Sequence, residues 1–160
     1  ANVANLLLVR GVTRRKEMAI RTALARSEMQ RNGVILETRL SDDVALVFGD
    51  RIQLQQVVLN LIMNAVEAMS EVSDGPRQLL IRTGADVSDA IVVAVRDSGP
   101  GLAPENLDRL FTPFYTTKPQ GMGMGLAICR SIIEAHGGRL WATANPDYGA
   151  TFYFALPTMR

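Results

Sequence analysis

DSGPGLAPENLDRLFTPFYTTKPQGMGMGLA, residues 97–127, contains two glycine clusters separated by a segment with two phenylalanines, a tyrosine and a lysine. The first cluster, DSGPG, directly follows the apolar run AIVVAVR, whose β-branched residues favour a strand in the interior of a sheet. The second cluster, GMGMG, opens the run LAICRSIIEAH, which favours a helix because it contains no glycine or proline. The stretch therefore predicts a strand end and a helix start, both of which expose backbone groups to a ligand.

The second glycine cluster has the outline of a phosphate-binding site. Gly121, Gly123 and Gly125 lie where exposed N–H groups and the helix dipole favour an anion. The cluster is not a Walker loop, since no GK[ST] follows, and it lacks the GxGxxG spacing of a dinucleotide fold. Lys118 supplies a cation for terminal phosphates, or it is an ordinary solvated lysine of a loop.

The first glycine cluster suits the other end of the same ligand. Gly99 and Gly101 permit positive φ angles and a close approach of the backbone. An ionised Asp97 only accepts hydrogen bonds, which suits a donor such as the exocyclic amine of adenine. A plain turn is the alternative interpretation, because Asp, Ser, Gly and Pro are the usual turn residues.

A polar line runs along a long helix predicted over residues 51–71. Asp50 caps this helix, and Gln53 stands in the capping-box position. Two mid-helix asparagines indicate a purpose beyond solubility, because Asn is a weak helix former. One amide oxygen such as that of Asn64 suffices for Mg²⁺, which takes its other ligands from water and phosphates. At 100° per residue, one narrow face carries Gln53, Gln56, Asn60, Asn64, Glu67 and Glu71, of which Gln53 and Glu71 fit a merely solvated face.

The remaining elements mix helices and strands without strict βαβ alternation. We therefore expect an α/β two-layer sandwich, with a mixed, mostly antiparallel sheet backed by helices. The patterns predict a helix over 14–31, strands over 34–40, 44–48, 78–84 and 90–97, a short helix from Pro104, a helix from Gly125 to His136, and a hairpin of RLWATA and ATFYFAL.

Composition limits the classes of function. With 160 residues, 48% hydrophobic and 21% charged, the chain fits one folded domain rather than a disordered one. A net charge of +1 without a basic stripe argues against nucleic acid as a partner. The single Cys129 fits a reducing cytoplasm, and no apolar run approaches the length of a membrane span, so we expect no membrane contact. A start at Ala1 is typical of a fragment or a processed product.

In this order, the motifs resemble the N, G1, F and G2 boxes of the GHKL ATP-binding superfamily. The matching segments are QQVVLNLIMNAVEAM, DSGPG, LFTPFYTTK and GMGMGLAI. The chain is most similar to the catalytic and ATP-binding domain of bacterial sensor histidine kinases, in the nitrogen-regulation-type subgroup with NAVEA and FYTTK. The resemblance extends over about residues 34–157, and it implies the Bergerat sandwich, with a mobile lid between the F and G2 boxes.

The resemblance also implies ATP and Mg²⁺ as cofactors and a role for each matching residue. Asp97 would bind the adenine amine, Asn64 would coordinate Mg²⁺, and Lys118 would approach the β- and γ-phosphates. Phe111 and Phe114 would anchor the lid. The implied catalytic residues are Asn60, Asn64 and Lys118, and the implied ATP-binding residues are Asn64, Asp97, Gly99, Gly101, Leu102, Phe111, Phe114, Thr117, Lys118, Gly121, Met122, Gly123, Met124, Gly125, Leu126 and Thr151, the last near the phosphate end.

One position favours a kinase over an ATPase. Hydrolysing relatives carry a water-activating Glu one turn before the metal-binding Asn, where this chain has Asn60. An amide is no general base near neutral pH, so the γ-phosphate should wait for an external nucleophile. His136 in EAHGG is the only histidine, and we expect it to be structural because it ends a helix and is followed by glycine.

The acceptor histidine is therefore expected outside this chain. The expected partners are an acceptor-histidine hairpin, in the same full-length protein or its dimer mate, and a downstream response regulator. Residues 34–160 would form the catalytic domain, and residues 1–33 an N-terminal helical segment that is a remnant of the hairpin or a linker from it. Two alternatives stay open: a free-standing serine kinase of the anti-sigma-factor type, and a nucleotide-gated binding module without transfer activity.

Overall fold

The computed structural model describes residues 3–43, 45–118 and 122–159, with side chains described from Lys16 onward in the first helix. Gly121, one of the predicted phosphate-binding glycines, lies outside the described residues. The elements are, in chain order, α1 Val3–Arg31, β1 Ile35–Arg39, α2 Arg51–Ser70, β2 Gln78–Ala85, β3 Ala90–Asp97, a 3₁₀ helix Pro104–Arg109, α3 Gly125–Ala135, β4 Arg139–Ala144 and β5 Ala150–Pro157.

Within the described residues, the five strands form one sheet in the order β1-β2-β3-β5-β4. β1 and β2 are parallel, and every other neighbouring pair is antiparallel. The mixed, mostly antiparallel sheet backed by helices confirms the predicted fold class. β3 lies at the centre, as its continuous apolar run requires, and it ends at Asp97 between its two neighbouring strands.

The core lies between the sheet and the helices on one of its faces. α2 packs against β2 and β3, and α3 packs against β4 and β5. Buried residues of α2 recur every four positions, at Val57, Leu61, Ala65 and Met69, so they form one apolar stripe. The polar line of α2 lies beside this stripe, and its last turns reach the end of β3. The fold thereby brings the two polar motifs of the sequence together.

The start of α2 confirms the predicted cap and explains the single histidine. Asp50 Oδ1 accepts the backbone N–H groups of Ile52 and Gln53 at 2.9 and 3.1 Å. The Asp50 N–H donates to His136 Nε2 at 3.0 Å. In a capping box, a side chain three residues after the N-cap accepts this N–H; here His136 accepts it instead. His136 Nδ1 lies 2.7 Å from the Ile132 carbonyl oxygen. A neutral imidazole with its proton on Nδ1 satisfies both bonds, and His136 joins two helix ends, as expected of a structural residue.

The predicted strand over 44–48 is wrong for its described residues, 45–48. Only Val47 pairs there, in an isolated bridge with Thr158. Leu46 and Phe48 are 78% and 85% exposed, so the apolar alternation of this segment does not reflect burial against the sheet. The helix predicted over 14–31 begins earlier, at Val3; Ala25 is buried, with 2% exposed, and Met29 packs against the core. No helix of the described residues has the length and hydropathy that a membrane span requires.

Candidate functional site

A cavity of about 360 Å³ opens between the last turns of α2, the DSGPG loop, the segment after the 3₁₀ helix and the start of α3. It collects most of the residues that the sequence singled out. The predicted site residues that line it are Asn64, Asp97, Gly101, Leu102, Thr117, Lys118, Met122, Gly123, Met124, Gly125 and Leu126.

Asp97 is the buried carboxylate of this cavity, with 4% of its surface exposed. Its Oδ1 accepts the backbone N–H groups of Gly99 at 2.9 Å and Ala150 at 3.3 Å. Its Oδ2 has no hydrogen-bond partner among the residues that the structure describes. Burial raises the pKa of Asp97 above its usual range, although the two N–H groups act in the opposite direction. Asp97 thus presents one fixed acceptor atom to a donor in the cavity.

The loop between β4 and β5 holds Asp97 in place from behind. The Asn145 side-chain amide donates to the Asp97 carbonyl oxygen at 3.2 Å and to the Tyr148 carbonyl oxygen at 3.0 Å. Gly149 has φ +81°, and a Cβ built there would lie 2.0 Å from the Asp97 carbonyl oxygen, so only glycine fits. This support could not be predicted from the sequence, because NPDYG has the composition of an ordinary hairpin turn.

Asn64 enters the cavity from α2, whereas Asn60 does not. The Asn60 amide nitrogen lies 3.5 Å from Cys129 Sγ on α3, and Asn60 is not among the lining residues. Burial raises the pKa of the Cys129 thiol to about 11, so this sulfur stays protonated at neutral pH. The cavity continues along α2 to Glu67 and Glu71, which occupy the same polar line one and two turns beyond Asn64.

Lys118 is on the loop that faces α2 across the cavity, and its side chain forms an ion pair with Glu67 of α2. Its Nζ donates to Glu67 Oε2, and the two side chains are 37% and 51% exposed. The segment that carries Lys118 is closed at its base by a hydrogen bond from the Phe114 N–H to the Gly123 carbonyl oxygen at 3.1 Å. Gly123 has φ +69°, and a Cβ there would lie 2.5 Å from the Phe114 carbonyl carbon. The two ends of the loop therefore meet where only glycine fits.

The start of α3 forms one end of the cavity. α3 begins at Gly125 with Met124 as its N-cap, and no side chain caps it among the described residues. The first N–H groups of a helix have no partner within the helix, and the dipole places partial positive charge there. Since Met124, Gly125 and Leu126 line the cavity, these groups are available to a phosphate.

The other predicted site residues lie behind the cavity or away from it. The Phe111 ring packs edge-on against Phe152, with centroids 6.4 Å apart, and Phe152 forms part of the cavity wall. Phe114 is 75% exposed, and it holds the loop through its backbone N–H, which donates to the Gly123 carbonyl oxygen. Gly99 contributes its N–H to Asp97 without lining the cavity.

Thr151 occupies a different place from the one expected. It is 5% exposed, and its Oγ1 donates to Asn145 Oδ1 at 2.6 Å. Its neighbour Ala150 donates to Asp97, so Thr151 lies at the Asp97 end of the cavity. The expectation that Thr151 lies near the phosphate end is not supported.

The cavity also contains residues that the site prediction missed. Glu67 and Glu71 had a signal, because both lie on the polar line of α2. The apolar lining residues had no such signal in the sequence, because an apolar cavity wall and an apolar core have the same sequence pattern. The missed lining residues are Glu67, Ala68, Glu71, Pro100, Leu110, Tyr115, Thr116, Ala150 and Phe152.

A second cavity, of about 730 Å³, lies at the other end of α2. It is larger, but its lining is mostly apolar and includes no predicted site residue. A specific polar ligand needs fixed donors and acceptors, so the smaller cavity is the better candidate. No group of three or more His, Cys, Asp or Glu side chains placed to hold a metal occurs among the described residues.

Comparison with known proteins identifies the family. Residues 49–160 match the family model described as histidine kinase-, DNA gyrase B-, and HSP90-like ATPase. The chain is 43% identical over 137 residues to sensor histidine kinase TmoS of Ectopseudomonas mendocina, across 85% of this chain and 14% of that protein. It is 45% identical over 135 residues to sensor protein FixL of Bradyrhizobium diazoefficiens, across 84% of this chain and 26% of that protein.

Solved structures agree with this assignment. The catalytic domain of histidine kinase ThkA superposes with a TM-score of 0.72 at 32% identity, over 90% of this chain and 91% of that one. Full-length ShkA in complex with AMPPNP gives a TM-score of 0.73 at 27% identity, over 88% of this chain and 29% of that one. The chain therefore spans only a small part of its full-length relatives. It belongs to the histidine kinase-, DNA gyrase B- and HSP90-like ATPase family, as the GHKL ATP-binding domain of a sensor histidine kinase.

Proposed function

We propose that this domain binds Mg-ATP in the cavity at Asp97 and donates the γ-phosphate to a histidine outside the chain. The observation that carries the proposal is the state of Asp97, a buried carboxylate with one oxygen held by backbone N–H groups and the other without a partner among the described residues. Burying a carboxylate costs free energy unless its oxygens find donors. The exocyclic amine of adenine is such a donor, and the same fold recurs in histidine kinase ThkA and in ShkA, whose structure contains AMPPNP.

The residues present fit the phosphates and a magnesium ion. The start of α3 and Lys118 offer N–H groups and a cation to phosphate oxygens. The Asn64 amide lines the same cavity, and its oxygen would hold Mg²⁺, which supplies charge neutralisation on the phosphates. Asp97 orients the base, Lys118 and α3 fix the phosphates, and the apolar wall at Leu110 and Phe152 excludes water from the adenine end.

Transfer to an external histidine is proposed because the chain has no water-activating carboxylate one turn before Asn64. Asn60 stands there, and its amide faces Cys129 on α3 instead of the cavity. Neither an amide nor a protonated thiol acts as a general base at neutral pH. The bound nucleotide would thus be slow to hydrolyse, which preserves it for a nucleophile that another domain brings.

The finer assignments belong to the same proposal. We assign the chain to the nitrogen-regulation-type subgroup on the segments NAVEA and FYTTK, and we place the catalytic domain at residues 34–160. Its partners would be an acceptor-histidine hairpin, from the same full-length protein or its dimer mate, and a response regulator in the cytoplasm. Residues 1–33 would be a remnant of the hairpin or its linker.

The test is transfer from γ-labelled ATP in the presence of Mg²⁺. Alone, the chain should bind nucleotide and acquire no label, because His136 is engaged by Asp50 and Ile132. Addition of the hairpin of the full-length protein should give an acid-labile label on the hairpin. Label on His136 would contradict the proposal, and label on a serine of a partner protein would favour the serine-kinase alternative. Nucleotide binding without transfer to the hairpin would favour a nucleotide-gated binding module.

A further inference from the structure

The charged side chains that line the cavity do not by themselves balance an anionic ligand. Three carboxylates, Glu67, Glu71 and Asp97, line it, and Lys118 is the only cationic side chain among the described lining residues. A nucleoside triphosphate carries several negative charges, and like charges in a partly enclosed site repel strongly. A cavity lined by three carboxylates and one lysine disfavours the binding of phosphates unless another cation enters with them.

The three carboxylates differ in what they contact. Asp97 is buried and bound by backbone N–H groups, so it belongs to the adenine end. Glu71 follows the last residue of α2 and has no ion pair among the described residues. Glu67 holds Lys118, and it lies one turn from Asn64 on the same face of α2. Glu67 is therefore the carboxylate beside both the expected metal ligand and the lysine of the loop.

We propose that Glu67 is a specificity-determining residue that makes this cavity select metal-bound over metal-free nucleotide. The inference rests on the proposed function. In the nucleotide-free protein Lys118 pairs with Glu67, and this exposed pair exchanges easily because solvent screens it. When phosphates enter, Lys118 moves to them and Glu67 is left facing anionic oxygens. A divalent cation held at Asn64 offsets the Glu67 charge, whereas metal-free nucleotide meets it uncompensated.

The experiment measures nucleotide affinity rather than turnover. Isothermal titration calorimetry compares the wild-type chain with Glu67→Gln and with the matched control Glu71→Gln, using ATP and AMP in buffers that contain either Mg²⁺ or EDTA. Each substitution removes one negative charge from the cavity lining, Glu67 within the last turn of α2 and Glu71 directly after it, but only Glu67 pairs with Lys118 and neighbours Asn64. Both side chains are exposed, and thermal unfolding checks that the variants fold.

Glu67→Gln should raise the affinity for ATP in EDTA about three- to tenfold and the affinity for ATP in Mg²⁺ less than about twofold. The preference for the metal-bound form therefore shrinks. Glu71→Gln should change this preference by less than about twofold. The affinity for AMP should change less than the affinity for ATP when Glu67 is replaced, because AMP carries a single phosphate. Lys118→Met should lower the affinity for ATP in both buffers.

The proposal is overturned if Glu67→Gln keeps the wild-type metal preference, or if Glu71→Gln changes it equally. Failure of this inference is separable from failure of the proposed function. If the wild type binds ATP, and Asp97→Asn weakens that binding while Glu67→Gln keeps the metal preference, only the role of Glu67 is wrong. If the wild type binds no adenine nucleotide in either buffer, both proposals fall.

Discussion

Asp97→Asn separates a ligand-binding role of this residue from a structural one. Asparagine keeps the shape of the side chain and offers one oxygen, which can continue to accept the N–H groups of Gly99 and Ala150. The amide nitrogen then takes the place of Oδ2, the atom without a partner among the described residues. A donor would face the adenine amine, itself a donor, so the variant loses one hydrogen bond and gains a donor–donor contact.

The expected loss of affinity follows from the charge of the acceptor. A hydrogen bond to a charged group contributes about 1.5–3 kcal/mol, which corresponds to a loss in ATP affinity of about ten- to 150-fold. The preference for ATP over GTP should also shrink, because the carbonyl oxygen of guanine accepts from the new amide. Titration calorimetry measures both affinities directly.

Stability of the nucleotide-free protein should change in the opposite direction. Burial raises the pKa of Asp97 above its usual range, so the folded protein binds this proton more tightly than the unfolded chain does. The cost of ionising Asp97 therefore appears as the pH rises above the unfolded pKa, and it is fully present above the folded pKa. Asp97→Asn should be more stable than the wild type at neutral pH, and this advantage should fade toward pH 3.

The matched control is Asp147→Asn on the surface. Asp147 pairs with Arg96 at 3.0 Å, and backbone and arginine contacts lower its pKa. Since a lowered pKa stabilises the folded state above the unfolded pKa, Asp147→Asn should slightly lower stability at neutral pH and should bind ATP like the wild type. Wild-type ATP affinity in Asp97→Asn, or lower stability than wild type at pH 7, would refute the account of Asp97.

Three further substitutions test other parts of the site. Asn64→Ala should weaken ATP binding in Mg²⁺ and match the wild type in EDTA, and calorimetry showing equal losses in both buffers would contradict the metal assignment. Gly123→Ala should destabilise the loop base by about 1–3 kcal/mol, since its φ is +69° and its Cβ would meet Phe114. Urea unfolding measures this against Gly84→Ala, which meets nothing within 4 Å. His136→Phe should lower the free energy of unfolding by about 1–3 kcal/mol, because it removes the Nε2 acceptor of the Asp50 N–H, and an unaltered urea midpoint would contradict the structural role.

The fold was predictable because its elements have strong local signals. β3 is a mostly apolar run rich in β-branched residues, and α2 follows a capping Asp50 and repeats its buried residues every four positions. The segment at 45–48 has a strand-like pattern too, but Leu46 and Phe48 remain exposed. Local propensity cannot reveal whether a partner strand is available, and that explains the error.

The site residues were predictable where a residue type is unusual for its position. They were less predictable where the distance along a helix axis decides which residue reaches the cavity. Glycines at a strand end and at a helix start indicated both ends of the cavity. Asn60 and Asn64 share a face of α2, but four residues of helix separate them by about 6 Å, and the cavity reaches only Asn64. The pairing of Lys118 with Glu67 depends on how the loop folds back over α2, and no sequence spacing reports it.

A crystal structure of this chain with Mg²⁺ and AMPPNP would show whether the cavity at Asp97 binds the nucleotide. We expect the exocyclic amine of adenine within hydrogen-bond distance of Asp97 Oδ2, phosphate oxygens at the first N–H groups of α3, the metal at the Asn64 oxygen, and Lys118 moved from Glu67 to the phosphates. Nucleotide bound in the apolar cavity at the other end of α2, or an adenine that makes no contact with Asp97, would contradict this expectation.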